Sequence, residues 1–203
     1  MQADWSRRRF LRGSAWAAAG VSALEATANM VGETAAAEIA GTPGVGPGPV
    51  PITLKINGTQ RALQAEPRMT LAEALRGPLG LTGTKISCNR GACSACTVWL
   101  DGVPTLACMT LAVEVGARAV TTIEGLARGG ALHPVQAAFV EHDALQCGFC
   151  TPGMIMSCAA LIERNPAPTE DQVRAAIAGH VCRCGTYPHV VAATLAAAKA
   201  GKA

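Results

Sequence analysis

The sequence predicts an α+β chain in two parts. Three observations carry this: strand-like runs around one capped helix at residues 52–127, four helical segments at residues 128–203, and a set of four cysteines in each part. Strands, one helix and strands again is the order of a β-grasp sheet over a single helix. The second part reads as an all-α four-helix unit.

Each element has its own signal. "ITLKING" (52–58) and "TQRALQAE" (59–66) are two strands joined at Asn57-Gly58, a pair that supplies the positive φ of a tight hairpin. In "TLAEALRGPLG" (70–80), Thr70 and Glu73 form the two halves of a capping box. Leu71, Ala74 and Leu75 share one face of this helix, and Gly77-Pro78 stops it. "TVWLDGVPTLA" (97–107) is a second hairpin about Asp101-Gly102, and "ARAVTTIEGL" (117–126) supplies a further strand.

From His133 the pattern turns helical through "HPVQAAFVEHD", "TPGMIMSCAALIERN", "TEDQVRAAIAG" and "PHVVAATLAAAKA". Thr151-Pro152 reads as a cap followed by proline at the first helical position. Thr169 with Gln172 is a second capping box, and Gly179 ends the third helix.

Composition bounds what these elements can do alone. Of 203 residues 50% are apolar, yet much of that is alanine and only 3% are aromatic. Alanine buries little area, so two units this small need a metal or cross-link to hold them. Nine cysteines are the available means. A net charge of +3, without a basic run interleaved with aromatics beyond the first dozen residues, gives no sign of a nucleic-acid partner. No Gly-rich nucleotide fingerprint is present.

The first 37 residues read as an export signal. "SRRRFLRG" (6–13) precedes the uncharged "SAWAAAGVSAL", and small residues at 35–37 offer a cleavage site. Arg7-Arg8, with Phe10-Leu11 behind them, resemble a twin-arginine signal, so the expected location is the periplasm. The apolar run is too short for a bilayer and Glu25 closes it, so the chain is not expected to span a membrane. Residues 38–51, with "GTPGVGPGPVP", read as a Gly/Pro-rich linker.

The first cysteine set is Cys88, Cys93, Cys96 and Cys108. Its C-x4-C-x2-C spacing is the plant-type [2Fe–2S] pattern. Gly91, Ala92, Ser94 and Ala95 let backbone N–H groups approach the sulfurs. A zinc site favours paired short knuckles, and two disulfides fit poorly in one tight loop. The second set is Cys147, Cys150, Cys182 and Cys184, two before a helix start and two in a one-residue knuckle. No histidine stands where a Rieske centre would need it. An oxidising compartment ordinarily means disulfides. The twin-arginine route, associated with export of folded, cofactor-loaded proteins, weakens that reading. The ninth, Cys158, falls in an apolar helix and reads as a small buried hydrophobe. His133, His142, His180 and His189 read as surface or capping residues.

Both sets, in this order, resemble the small iron–sulfur subunit of the molybdenum hydroxylases, the xanthine oxidase and aldehyde oxidoreductase family. "GTKISCNRGACSACTVWLDG" looks like that family's ferredoxin-like motif, and "QCGFCTPGMIMS" with "VCRCGTYPHV" like its helical second-cluster motif. With the leader, "CRCGTYP" looks most like the separate small subunits of periplasmic dehydrogenases acting on aldehydes and N-heterocycles such as isoquinoline. The resemblance implies two [2Fe–2S] clusters here and a molybdopterin-type molybdenum cofactor on a large partner subunit. It implies an acceptor partner, either an FAD-binding subunit or a c-type cytochrome carrying haem c. Electrons would pass from the molybdenum centre through the helical-part cluster, then the β-grasp cluster, to that acceptor. Gln146 and Cys184 match family residues that lie against the pterin. Ser87 and Ser94 stand where the family often has glycine, and His180 where it often has asparagine. The chain itself would hold no catalytic residue. A stand-alone two-cluster ferredoxin is the alternative, though it would have little use for the pterin-side motif.

Overall fold

The computed structural model describes residues 46–201. The segment read as an export signal, and the linker as far as residue 45, lie outside them. The described residues form one compact unit.

Strand β1 (Val50–Ile56) pairs antiparallel with β2 (Thr59–Ala65) through Asn57 and Gly58, at φ 50° and 81°. It begins two residues inside the segment read as linker, with Pro51 opposite Gln64. Proline is tolerated there because β1's other neighbour pairs only with Lys55 and Ile56, at the far end. Helix α1 (Leu71–Arg76) starts on the expected capping box. Thr70 Oγ1 accepts the Glu73 N–H at 3.2 Å, and Glu73 Oε2 accepts the Thr70 N–H at 2.8 Å. Such a cap contributes about 1 kcal/mol. The helix stops at Gly77.

β3 (Thr97–Leu100) and β4 (Val103–Leu106) form the second hairpin about Asp101 and Gly102. β5 (Ala119–Thr121) lies parallel to β1 and antiparallel to β3, giving the order β2-β1-β5-β3-β4. β3 is buried on both faces. Val98 and Leu100 pack with Leu54, Ile56, Leu71, Leu75 and Val120. Trp99 points the other way, into a core with Phe139, Met154, Met156, Val173 and Val190. Its indole N–H donates to the Met156 carbonyl at 2.9 Å. One strand thus walls both cores.

The helices are α2 (Pro134–Glu141), α3 (Thr151–Arg164), α4 (Glu170–Ile177) and α5 (Tyr187–Ala200). His133 caps α2, its Nδ1 accepting the Val135 N–H at 3.2 Å. The Thr169–Gln172 box caps α4, which ends at Ile177, just before Gly179. At α3 the expected cap is displaced: Cys150 is the N-cap, and no side-chain bond caps the helix. Cys150 already has helical backbone (φ −82°, ψ −17°), so Thr151 becomes the first helical residue. Pro152 sits in the first turn, where its missing N–H has no intrahelical acceptor. Buried Ala159, Ala193 and Ala197 contribute little area each but leave room for close helix approach.

Candidate metal centres

The loop that carries the first cysteines is held at its start by α1. The Arg76 guanidinium donates to the carbonyls of Thr82 and Thr84 at 2.7 and 2.8 Å. Asn89, Gly91 and Ser94 then take positive φ (49°, 74° and 56°), curling the chain so that its N–H groups point inward. Gly91 is needed for space as well, since a Cβ there would meet Met109 Cγ at 3.1 Å. The N–H groups of Arg90 and Ala92 donate to Cys88 Sγ at 3.5 and 3.2 Å. That of Cys108 reaches Cys96 Sγ at 3.5 Å. The Arg90 N–H first, then the Cys93 thiol, bring Cys88 down to about 7. Burial pushes Cys96 up to about 12.

The second set gathers at two helix starts. Cys150 caps α3, and Cys182 and Cys184 precede α5. Burial pushes Cys150 up to about 12, with the Cys182 thiol beside it adding to the rise. Burial also works upward on Cys182, but the N–H and hydroxyl of Thr186, the Cys150 thiol and the Gly185 N–H outweigh it and leave Cys182 at about 7. The knuckle is tied by Tyr187, whose hydroxyl accepts the Cys182 N–H and donates to the His180 carbonyl, both at 2.8 Å. A cavity of about 190 Å³ lies among Cys93, Cys147, Cys150 and Cys182, with Phe149 and Val181 on its wall.

The eight thiols fall into four neighbouring pairs: Cys88 with Cys93, Cys96 with Cys108, Cys150 with Cys182, and Cys147 with Cys184. Each set therefore offers two pairs that lie close enough to act on one another, Cys93 on Cys96 in the first and Cys147 on Cys150 and Cys182 on Cys184 in the second. Among the described residues no three His, Cys, Asp or Glu side chains meet where one ion could be held. A tetrahedral zinc needs four ligands on a single centre. A [2Fe–2S] cluster has two irons, each taking two protein thiolates, and the pairing fits that demand.

Gln146 is exposed and precedes Cys147, whose thiol neighbours that of Cys184. Cys158 is fully buried in α3, apart from both sets, and burial pushes its thiol up to about 11. His133 caps as expected, but His180 does neither of the things expected of the histidines. It is 5% exposed, with Nε2 2.8 Å from Ser157 Oγ, Nδ1 without a partner, and burial pushing it down to about 4. Sequence reasoning missed Tyr187, whose signal was being the only tyrosine in the chain, three residues past Cys184.

Comparison with known proteins matches both parts. A 2Fe-2S iron-sulfur cluster binding domain matches residues 54–113, and a [2Fe-2S] binding domain matches residues 122–195. The nicotine 6-hydroxylase small subunit of Paenarthrobacter nicotinovorans is 45% identical over 146 residues, covering 72% of this chain and 88% of that one. The chain belongs to the small iron–sulfur subunits of the molybdenum hydroxylases. Other members of this family are similar to a comparable degree. The aldehyde oxidoreductase iron-sulfur-binding subunit PaoA of Escherichia coli is 42% identical, covering 76% of this chain and 75% of that one. A chain of quinoline 2-oxidoreductase from Pseudomonas putida 86 superposes with a TM-score of 0.73 at 44% identity, covering 76% of this chain and 96% of that one. Two [2Fe–2S] clusters are accordingly the cofactors of this iron–sulfur subunit.

Proposed function

We propose that the chain is the electron-transfer subunit of a molybdenum-dependent hydroxylase or dehydrogenase. Cys88, Cys93, Cys96 and Cys108 hold one cluster, within residues 52–127. Cys147, Cys150, Cys182 and Cys184 hold the other, within residues 128–203. The observation that carries this is the paired arrangement of two dissimilar thiol sets in one compact unit. When bound, the clusters supply one-electron relay between a molybdopterin centre on a large subunit and an acceptor, an FAD-binding subunit or a c-type cytochrome. The chain's own residues bind and tune. N–H groups from Arg90, Ala92 and Cys108 stabilise thiolate charge in the first site. Thr186 and Gly185 do so in the second.

The large subunit docks at the edge carrying Cys147 and Cys184. Val140, Leu145, Phe149 and Val181 expose apolar side chains in this part of the chain. A groove of about 260 Å³ runs beside Val140, Leu145, Gly148 and Ile155. Apolar surface near a redox edge suits a permanent partner better than a diffusing carrier. Gln146 and Cys184 form the pterin side. The substrate class, an aldehyde or N-heterocycle, follows the relatives. The leader with Arg7 and Arg8 directs the loaded chain to the periplasm by the twin-arginine route.

Isolation of the chain from its own cells tests the proposal. A molybdopterin-bearing polypeptide should accompany it, and the substrate of that complex should bleach the visible iron–sulfur absorption. A coloured chain that purifies alone supports the stand-alone carrier instead, and a colourless one overturns both.

A further inference from the structure

The two cysteine loops meet along a seam that none of the cysteine side chains makes. Ser94 lies between Cys93 and Ala95 of the first loop, with φ 56°, a conformation that a residue with a Cβ rarely adopts. Its hydroxyl donates to the Gly179 carbonyl at 3.0 Å, just ahead of the second knuckle. Its carbonyl accepts from the Thr97 N–H at 3.2 Å and the Thr97 hydroxyl at 2.7 Å, so the loop cannot swing without breaking into β3. The opposite wall is α3 at Gly153. A Cβ on Gly153 would run into the Ser94 carbonyl and stand 3.2 Å from Ala95 Cα, both backbone atoms that cannot yield as a flexible side chain does. Gly179 has a less severe margin, with a Cβ there 3.3 Å from the side-chain atom Ser94 Oγ. One bond completes the seam: the Val181 N–H donates to the Cys93 carbonyl at 3.2 Å.

We propose that Ser94 and Gly153 form a spacer that sets the separation of the two clusters, Ser94 as a positioning residue and Gly153 as the clearance it fits. The inference rests on the ligand assignment above, which places Cys93 in one site and Cys182 in the other. Ser94 is set in a strained backbone state with its hydroxyl spent on the other loop, and the first site's own turn does not need that hydroxyl. The clamp draws Gly179 toward the loop. The bare α-carbon of Gly153 lets α3 approach until backbone meets backbone. Cys93 and Cys182 are thereby joined through one residue and one hydrogen bond.

The test uses the full complex and three variants, Ser94→Ala, Ser94→Gly and Gly153→Ala, read by iron content and by EPR of the fully reduced protein. Two reduced clusters split each other's signals, and the splitting falls steeply with their separation. In the wild type both signals should be present and mutually split. Ser94→Ala and Ser94→Gly should keep the iron and both sets of g values but lose part of the splitting, to the same degree as each other, because both delete the hydroxyl. Gly153→Ala should lose more, and transfer between the clusters after rapid substrate reduction should slow severalfold. Ser94→Gly adds no atom and relieves the backbone, so it decides the matter even where Gly153→Ala folds poorly. Unchanged splitting in Ser94→Gly overturns the clamp. A wild type with a single signal would instead overturn the ligand assignment.

Discussion

Val181 donates its backbone N–H to the carbonyl of Cys93 across 3.2 Å, which ties the neighbour of Cys182 to a residue of the other cysteine loop. The two sets are therefore not independent modules on one string. Trp99 makes the same point in the core: it leaves the sheet to fill the helical core while its neighbours Val98 and Leu100 fill the other.

Trp99→Phe should destabilise the chain by about 1–3 kcal/mol, because it deletes the indole bond to Met156 and part of a buried ring. Denaturant unfolding of the cluster-loaded chain reads this, with both halves losing stability together. A loss confined to the sheet would contradict the shared-wall account.

Tyr187→Phe keeps the ring and removes the hydroxyl that serves both His180 and Cys182. The cost should be about 1–3 kcal/mol, and the second cluster's EPR signal should broaden or shift while the first keeps its shape. Equal disturbance of both signals would show that the hydroxyl acts on the fold at large.

Much of this was legible in the sequence, and the reasons differ by feature. Capping boxes are local chemistry, so Thr70–Glu73 and Thr169–Gln172 were placed correctly. Asn57-Gly58 and Asp101-Gly102 announce their turns because few residues tolerate positive φ. What stayed hidden depends on residues far apart in the chain. The burial of His180 against Ser157, the clearance at Gly153 and the bond from Val181 have no local pattern. The cap of α3 was misplaced by one residue because Cys150 takes up helical backbone ahead of the threonine.

Thiol reactivity in the iron-free chain should divide by pH. Cys88 and Cys182, brought down to about 7 from an ordinary 9.0, are thiolates between pH 7 and 9, where an ordinary thiol is protonated. Their alkylation should rise through pH 7 and fall away below it. Cys96 and Cys150, pushed up to about 12, should stay unreactive across that window. The stability signs follow. The first two thiols stabilise the folded chain increasingly as pH climbs from 7 to 9, whereas the second two, still protonated in the fold but ionised once unfolded, lower its stability as pH rises from 9 towards 12. Mass-resolved alkylation checks the order, and early labelling of Cys96 or Cys150 would refute it.

Export should depend on Arg7 and Arg8. Replacing both with lysine should leave cluster-loaded precursor in the cytoplasm, since the address is lost and the folding unit is untouched. Fractionation with an iron assay measures this. Undiminished periplasmic chain in the double variant would remove the twin-arginine reading.

Reduced-state EPR of three single variants, alongside iron analysis, tests the ligand assignment most directly. The wild type should carry about four irons, two for each [2Fe–2S] cluster, with two distinct signals. Cys88→Ser should remove or shift one signal, and Cys184→Ser the other, because the two sites share no thiol. Cys158→Ser should keep both signals and lose only packing stability, its thiol being buried in α3 apart from either set. A Cys158→Ser chain missing a signal, beside a Cys184→Ser chain that keeps both, would contradict the account.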